Sequence, residues 1–274
     1  MNGSPKPKAE NELAVAKNNS GHLTTLLKYN QTRPIHIILE GNIASGKSSL
    51  LRGIHHCQVE NILEPNYNKL GDHRPLDGYH QDPQAWPTFQ FWVLNQTMLQ
   101  LCQSHPKPVI LKERCPQSAC EVFVKMAQKK FPKTWEFATI MESYGFIIQN
   151  SPMDAIIFVK TDAKVCRERA IKRGTVEASL PLEDFEEVEL EYKNYIQNLM
   201  SADLTVIILN GNQDFEKVRS DLDMIMWGVD RLVIYQKVLK YLQALKSTGI
   251  DDVLTHEEIY SRGHNLFLTL FREF

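Results

Sequence analysis

The chain has 274 residues, of which 43% are hydrophobic and 23% charged, and its formal net charge is −2. This length fits one larger α/β domain or two small ones, and the near-neutral charge disfavours a nucleic-acid-binding surface. No run of about 18 apolar residues is present, so no membrane-spanning helix is expected. The five cysteines form no Cys-x-x-Cys pair and are odd in number, which favours a reducing, cytoplasmic setting over a disulfide framework.

The first 33 residues, which begin MNGSPKPKAENELAVAKNNS, are polar and lack a steady hydrophobic period. A segment of this composition cannot bury enough apolar surface to form a core. We therefore expect residues 1–33 to be a disordered arm. Its lysines and glutamates, with Arg33 as the single arginine, are not typical of a transit peptide.

An apolar strand then runs into a glycine-rich loop. Residues 35–39 resemble a buried parallel strand, GNIASGKSS (41–49) meets the pattern Gly-x-x-x-x-Gly-Lys-Ser, and residues 48–57 have helical spacing. This order predicts a phosphate-binding loop in which Lys47 reaches the β- and γ-phosphates of a nucleotide and Ser48 binds Mg²⁺. The expected nucleotide-binding residues are Gly41, Asn42, Ile43, Ala44, Ser45, Gly46, Lys47, Ser48 and Ser49.

Strands and helices alternate after the loop. Strand patterns occupy residues 108–114, 154–160 and 204–209, and helical patterns occupy residues 116–131, 135–150, 163–173, 182–200 and 213–247. Such alternation predicts an α/β fold with a parallel sheet flanked by helices on both faces. We expect one phosphate-loop domain over residues 34–227 and a helical C-terminal extension over residues 228–274.

Charged residues follow two of the predicted strands. Glu64 lies in NILEPNY, near the end of a short second strand, and Glu113 and Arg114 come at the end of PVILKER. Ligands of open α/β sheets lie beyond the carboxyl ends of the strands, so these three side chains should converge near Lys47.

The helical stretch CRERAIKR (166–173) is strongly basic. Arg169 and Arg173 are four residues apart and share a helix face. Two interpretations remain open: a solvated basic face, or a lid whose guanidinium groups bind phosphates in the transition state.

Taken in order, these motifs resemble the deoxynucleoside kinase family from about residue 35 to about residue 225. The resemblance is carried by EGNIASGKSS, EP (64–65), YHQDPQAWPTFQFWV (79–93), ERC (113–115) and RERAIKRGTVEASLPLEDF (167–185). It implies a kinase that transfers the γ-phosphate of ATP, with Mg²⁺, to the 5′-hydroxyl of a deoxynucleoside. It also implies a homodimer formed by the helices that follow residues 84 and 116.

The resemblance assigns catalytic roles to particular residues. Glu64 matches the base that acts on the 5′-hydroxyl, and Arg114 matches the arginine that positions this base. Glu113 matches a residue near the metal and phosphates. Lys47, Arg169 and Arg173 match the cations that stabilise the transferred phosphoryl group.

Four further positions match residues that bind the nucleoside. Gln90 matches the amide that reads the base through paired hydrogen bonds, because an amide both donates and accepts. Tyr79 and Glu177 match residues that contact the 3′-hydroxyl. Phe123 matches the aromatic ring that stacks on the base.

The base pocket resembles that of thymidine-accepting members. Ala119 stands where cytidine-preferring members carry aspartate, and Val93 is also similar to the thymidine-accepting ones. Thymidine is therefore the favoured substrate, with deoxycytidine as a further candidate. Thr97 stands where a larger apolar residue is usual, which predicts an altered pocket.

Three positions depart from the family pattern. Lys69 replaces the tryptophan of the EPxxxW motif, Thr175 replaces a third lid arginine in a lid one residue shorter, and Cys115 replaces a serine. Since the main catalytic residues remain, these changes predict altered affinity or substrate range, with the chemistry retained.

Two alternatives compete with this interpretation. A kinase for another small metabolite, such as a nucleoside monophosphate, would need further arginines near the acceptor, and residues 74–93 offer only Arg74. A catalytically silent nucleotide-binding scaffold would use its C-terminal helices to recruit a partner.

Overall fold

The computed structural model of the chain describes residues 33–65, 82–130, 135–202 and 204–247. Two compact units are present. The larger comprises residues 33–55 and 59–223, and the smaller includes residues 56–58 and 224–247. The predicted arm, apart from Arg33, and the last 27 residues of the predicted extension (248–274) lie outside the described residues.

A parallel sheet forms the centre of the larger unit. Its five strands are β1 (Ile35–Gly41), β2 (Val59–Ile62), β3 (Val109–Glu113), β4 (Ala155–Lys160) and β5 (Thr205–Asn210). They are arranged in the order β2-β3-β1-β4-β5, and every pair is parallel. The predicted α/β class with a parallel sheet is therefore confirmed.

Seven helices accompany this sheet within the described residues. They are α1 (Lys47–Gly53), α2 (Trp86–Leu101), α3 (Pro116–Ser118, Ala119–Val124 and Lys125–Lys130), α4 (Trp135–Gln149), α5 (Ala163–Arg173), α6 (Leu182–Ser201) and α7 (Phe215–Ser247). The middle segment of α3 is a π-helical turn, a distortion that is frequent at functional sites.

Helix α1 ends four residues earlier than the predicted 48–57. Ile54 adopts an extended conformation, with φ −100° and ψ 125°. The Asn61 side chain donates to the carbonyl oxygen of Leu51 at 2.9 Å, and it also donates to that of Ile54. An amide from β2 thus satisfies helix-end carbonyl groups that another helical turn would otherwise satisfy.

Both faces of the sheet are buried. Ile38 and Ile156 are neighbours in register and pack with Val188 and Tyr192 of α6 on one face. Adjacent strand residues point to opposite faces, so the buried Ile37 and Leu39 line the other. Full burial of such a side chain contributes roughly 1.5–3 kcal/mol. The sheet is thus covered on both sides, as predicted.

The strand register brings three carboxyl ends to one edge of the sheet. Leu39 of β1 pairs with Glu113 of β3, and Ile62 of β2 pairs with Lys112 of β3. The glycine loop after β1, Glu64 after β2 and Arg114 after β3 therefore start at the same level. Among the described residues, no helix has the length and apolar character that crossing a bilayer requires.

Candidate active site

The loop between β1 and α1 depends on glycine at two points. Gly46 has a φ of 104°, a left-handed conformation that disfavours side chains. A Cβ atom at Gly41 would lie 2.8 Å from both Ser45 Oγ and the carbonyl oxygen of Val159, too close for any other residue. The loop can therefore turn tightly beside β4 and present its backbone to a ligand.

Lys47 is buried inside this loop. Its ammonium group donates to the carbonyl oxygens of Gly41 at 3.0 Å and Asn42 at 2.8 Å. Burial first, and then the positive charge of the nearby Arg114, lower the pKa of Lys47 to about 8. The lysine is held where phosphate oxygens could replace the carbonyl oxygens as partners.

Ser48 and Glu113 form a hydrogen-bonded pair of oxygen-bearing side chains beside the loop. Ser48 Oγ donates to Glu113 Oε1 at 2.8 Å, and Glu113 Oε2 accepts from the backbone N–H of Glu64 at 3.4 Å. Mg²⁺ prefers hydroxyl, carboxylate, phosphate and water oxygens, so this pair fits the ion. No cluster of three or more His, Cys, Asp or Glu residues suited to a metal occurs in the described chain. The remaining ligands would therefore be phosphate and water oxygens.

Glu64 and Arg114 form an ion pair across the ends of β2 and β3. Arg114 Nε donates to Glu64 Oε2 at 3.0 Å, and the two side chains are 12% and 20% exposed. The guanidinium also lies 4.7 Å from the ring centroid of Phe123, within the range of a cation–π contact. The structure therefore brings together the predicted base, its positioning arginine and the predicted stacking ring.

Two buried residues behind this pair were not predicted from the sequence. Tyr192 accepts a hydrogen bond from Arg114 and donates to Glu40 Oε2 at 2.8 Å. Glu40 Oε1 accepts from the backbone N–H and the thiol of Cys115, at 3.1 and 3.3 Å. Cys115 thus keeps a donor where the family has serine. Glu40 could have been noticed as an acidic residue at the end of the apolar strand β1. Tyr192 could not, because nothing in the helical pattern distinguished it from its neighbours.

A cavity of about 770 Å³ extends from the glycine loop into the space between the helices. The predicted site residues that line it are Ile43, Ala44, Gly46, Lys47, Ser48, Ser49, Glu64, Gln90, Glu113, Arg114, Phe123, Arg173 and Glu177. Its wall also includes the predicted specificity positions Val93, Thr97 and Ala119. Tyr79 and Lys69 lie outside the described residues.

Gln90 is held in a fixed orientation at the buried end of α2. Its side-chain oxygen accepts a hydrogen bond from the Tyr144 hydroxyl at 3.2 Å, and it is only 5% exposed. A phenol donates to the oxygen of an amide and leaves the amide hydrogens for other acceptors. Tyr144 is a further residue that the sequence did not single out, because a tyrosine within a helical pattern does not reveal a polar partner on another helix.

Lys112 adds a positive charge to the same cavity. It lines the wall near Glu64, and burial lowers the pKa of its ammonium group. The signal that could have found it is a lysine inside an otherwise apolar strand.

The two predicted lid arginines have different partners. Arg169 donates to the carbonyl oxygens of Ser45 at 3.2 Å and Gly211 at 2.9 Å, so it ties α5 to the loop. Arg173 lines the cavity, donates to Thr175 Oγ1 at 3.3 Å and lies 3.9 Å from Glu177. In this conformation only Arg173 borders the cavity, and direct phosphate contact by Arg169 remains a prediction.

Comparisons of this chain with a family model and with individual proteins agree on one protein family. A family model described as "Deoxynucleoside kinase" matches residues 37–234. Human "Thymidine kinase 2, mitochondrial" is 26% identical over 212 residues, covering 72% of this chain and 77% of the relative. Its counterpart from Macaca fascicularis is 26% identical over 197 residues, covering 66% and 72%. A fowlpox virus protein named "Probable deoxycytidine kinase" is 23% identical over 210 residues, covering 65% and 80%.

We predict that Lys47→Ala lowers the affinity for ATP at least about tenfold, because a charge-assisted hydrogen bond contributes about 1.5–3 kcal/mol. Isothermal titration calorimetry with ATP measures the change. The control is Lys172→Ala, which removes an exposed lysine from α5. Equal ATP affinities for the two variants would contradict the assignment of Lys47 to the phosphate site.

Proposed function

The chain belongs to the deoxynucleoside kinase family, and on that basis we propose that it phosphorylates thymidine at the 5′-hydroxyl in preference to other deoxynucleosides. Its general activity is that of the family, a phosphotransferase with ATP as the phosphate donor. One observation carries the proposal: a single cavity is lined by the loop lysine Lys47, by the Glu64–Arg114 pair and by Gln90. The residues proposed to bind the donor phosphates, accept the proton and read the base thus line the same cavity.

The glycine loop binds and orients the donor phosphates. In this role, backbone N–H groups of the glycine loop would donate to phosphate oxygens, and Lys47 would exchange its two carbonyl partners for them. Ser48 and Glu113 would hold Mg²⁺, which when bound neutralises phosphate charge that builds up during transfer. Arg173, at the cavity wall, adds a cation on the lid side.

Glu64 receives the proton of the acceptor hydroxyl. A carboxylate positioned within hydrogen-bond reach of a hydroxyl contributes typically 10²–10⁴-fold to the rate of such a transfer. Arg114 Nε holds Glu64 Oε2 at 3.0 Å, so the carboxylate group is oriented before the substrate arrives. Positioning of this kind lowers the entropy that the reaction must lose.

The base end of the cavity supports a pyrimidine preference. Gln90 is fixed by Tyr144, and its amide can donate to one base atom while its oxygen accepts from another. Ala119 and Val93 line the same wall with small apolar side chains, which leave room for the thymine methyl group. The thymidine kinase name of the human relative supports this choice, and the deoxycytidine kinase name of the viral relative supports deoxycytidine as a second substrate.

We also propose a homodimer that buries the outer faces of α2 and α4. Large apolar side chains are exposed on both helices: Leu99 at 54%, Trp135 at 73% and Phe146 at 60%. Monomeric soluble proteins rarely expose a large contiguous patch of such residues, so a protein partner is expected there. The family resemblance implied a homodimer through α2 and the helix after residue 116, which is α3; the exposed side chains favour α2 and α4 instead, and the implied homodimer makes a second copy the best candidate.

The proposed domain boundaries are a kinase domain over residues 34–227 and a helical extension from residue 228. Two observations support the boundaries of the kinase domain. The family model matches residues 37–234, and the larger compact unit ends at residue 223. Helix α7 continues to Ser247, which supports a helical character for the start of the extension. All five cysteines are free, which supports a reducing setting such as the cytoplasm.

Glu64→Gln is expected to reduce kcat at least about 100-fold, because the amide cannot accept the hydroxyl proton. ATP affinity should be unchanged, since the glycine loop is intact. Steady-state transfer from Mg-ATP to thymidine measures the first quantity and calorimetry the second. Glu186→Gln, at an exposed position of α6, is the control. A Glu64→Gln enzyme with wild-type kcat would remove Glu64 from the mechanism.

Ala119→Asp is expected to lower kcat/KM for thymidine about 10–100-fold while affecting deoxycytidine less, because a buried carboxylate repels a carbonyl acceptor and accepts from an amino group. The ratio of the two kcat/KM values is the measurement. The control is Ala119→Asn, which has nearly the same shape and no charge. An unchanged ratio in the aspartate variant would contradict the placement of residue 119 beside the base.

Light scattering on the purified chain is expected to give a mass near 63 kDa, twice the 31.6 kDa of one chain. Phe146→Glu should shift the mass toward that of a monomer, because a charge in a buried apolar interface is unfavourable. Leu190→Glu, which alters a comparably exposed apolar residue on α6, is the control and should stay dimeric. A monomeric wild-type protein would contradict the dimer.

A further inference from the structure

Glu40 is a completely buried carboxylate that the proposed chemistry does not use. It is 0% exposed and lies directly before the first glycine of the phosphate loop. An ion in such a place costs several kcal/mol unless it is well hydrogen-bonded, so its partners should reveal what it does.

The first partner of Glu40 fixes the backbone beside Arg114. Its Oε1 atom accepts from the backbone N–H of Cys115 at 3.1 Å. Arg114 itself has a φ of 61°, an uncommon left-handed conformation for a residue with a side chain. The backbone N–H of Arg114 also donates to Leu39 at 3.1 Å. Bonds from both neighbouring peptides therefore hold Arg114 in a conformation that it would not adopt readily alone.

The second partner of Glu40 sets the direction of a hydrogen-bond chain. The Tyr192 hydroxyl donates its only proton to Glu40 Oε2 at 2.8 Å. Its oxygen is then an acceptor for the Arg114 guanidinium, which in turn donates through Nε to Glu64 Oε2 at 3.0 Å. Because Glu40 accepts the hydroxyl proton, that proton points away from the guanidinium.

We propose that Glu40 and Tyr192 are positioning residues, which hold Arg114 and, through it, the Glu64 carboxylate in the orientation that accepts the 5′-hydroxyl proton. This inference rests on the proposed role of Glu64. Neither residue is in the cavity lining, so their effect is indirect. The ring of Tyr192 also packs against Phe158 and Phe123, at centroid distances of 5.7 and 6.2 Å, and these contacts keep its hydroxyl in place.

A second buried tyrosine of this protein serves as a matched control for Tyr192. Tyr195 lies three residues further along α6, is 4% exposed and contacts Tyr192 edge-on. Its hydroxyl lies 3.5 Å from the Cys115 thiol and 4.0 Å from the Met153 sulfur. It therefore reaches Glu40 only through that thiol, which donates to Glu40 Oε1, and it is not part of the Glu40–Tyr192–Arg114 link. Tyr192→Phe and Tyr195→Phe each delete one buried hydroxyl from the same helix.

Transfer from Mg-ATP to thymidine and to deoxycytidine is measured for the wild type, both phenylalanine variants and Glu64→Gln. Tyr192→Phe is expected to lower kcat about 10–100-fold, because small misplacements of a catalytic group cost up to about 100-fold. KM for ATP should stay at the wild-type value, and thermal stability should match that of Tyr195→Phe. Tyr195→Phe should retain the wild-type kcat.

Glu40→Gln tests the donor-to-acceptor direction of the hydrogen bonds that link Glu40, Tyr192 and Arg114. An amide placed between Cys115 N–H and the Tyr192 hydroxyl must face one of these donors with its own NH₂ group. The expected kcat is as low as that of Tyr192→Phe, and the double variant should be no slower than the slower single one. Such non-additivity marks residues that act as a unit, and two independent packing defects would instead multiply.

Three results would overturn the inference. Tyr192→Phe and Tyr195→Phe could have the same kcat, Tyr192→Phe could change only KM or stability, or the double variant could show multiplied losses. If Glu64→Gln itself keeps the wild-type kcat, the proposed function of Glu64 fails and the inference fails with it. If Glu64→Gln is inactive while Tyr192→Phe is normal, only the positioning role is wrong.

Discussion

The parallel pairing of β1 with β3 is the constraint on which the site depends. Leu39 pairs with Glu113, so the glycine loop and Arg114 leave the sheet at the same level. A one-residue slip of β1 would exchange the side chains of its two buried faces, and each face would then lose the packing that fits its own side chains. The burial of the sheet therefore also determines the relative position of the glycine loop, the Ser48–Glu113 pair and Glu64.

This edge of the sheet concentrates charge in a buried environment. Lys47 and Glu113 are 4% and 3% exposed, and Glu40 is fully buried. Each has specific partners: backbone carbonyl groups for Lys47, the Ser48 hydroxyl for Glu113, and Cys115 and Tyr192 for Glu40. Such partners offset the cost of burial and leave the charges oriented before a substrate binds. Oriented charges in a site of low polarity are the main means by which enzymes stabilise developing charge.

The acceptor side of the cavity is formed by helices, whereas the phosphate side is formed by the ends of strands. Gln90 on α2 is oriented by Tyr144 on α4, and the π-helical turn of α3 carries Ala119 and Phe123 into the wall. Small changes on these helices can alter which base fits, while the sheet edge and its chemistry stay the same. Thr97 of α2, where a larger apolar residue was expected, lies in this wall, and its effect on substrate range remains a prediction.

The sequence by itself determined the strand–helix alternation, the phosphate loop and the positions of Glu64, Glu113 and Arg114 at strand ends. These features are local, because hydrophobic period and glycine spacing act within one element, and parallel strands present their carboxyl ends at one edge. The tertiary structure alone decided the contacts between distant residues. Glu40 and Tyr192 are 152 residues apart, and Gln90 and Tyr144 are 54 apart. It also ended α1 early through Asn61 and gave Arg169 and Arg173 different hydrogen-bond partners. Which polar side chains meet in a core depends on how whole elements pack, and no periodicity within a single element encodes that.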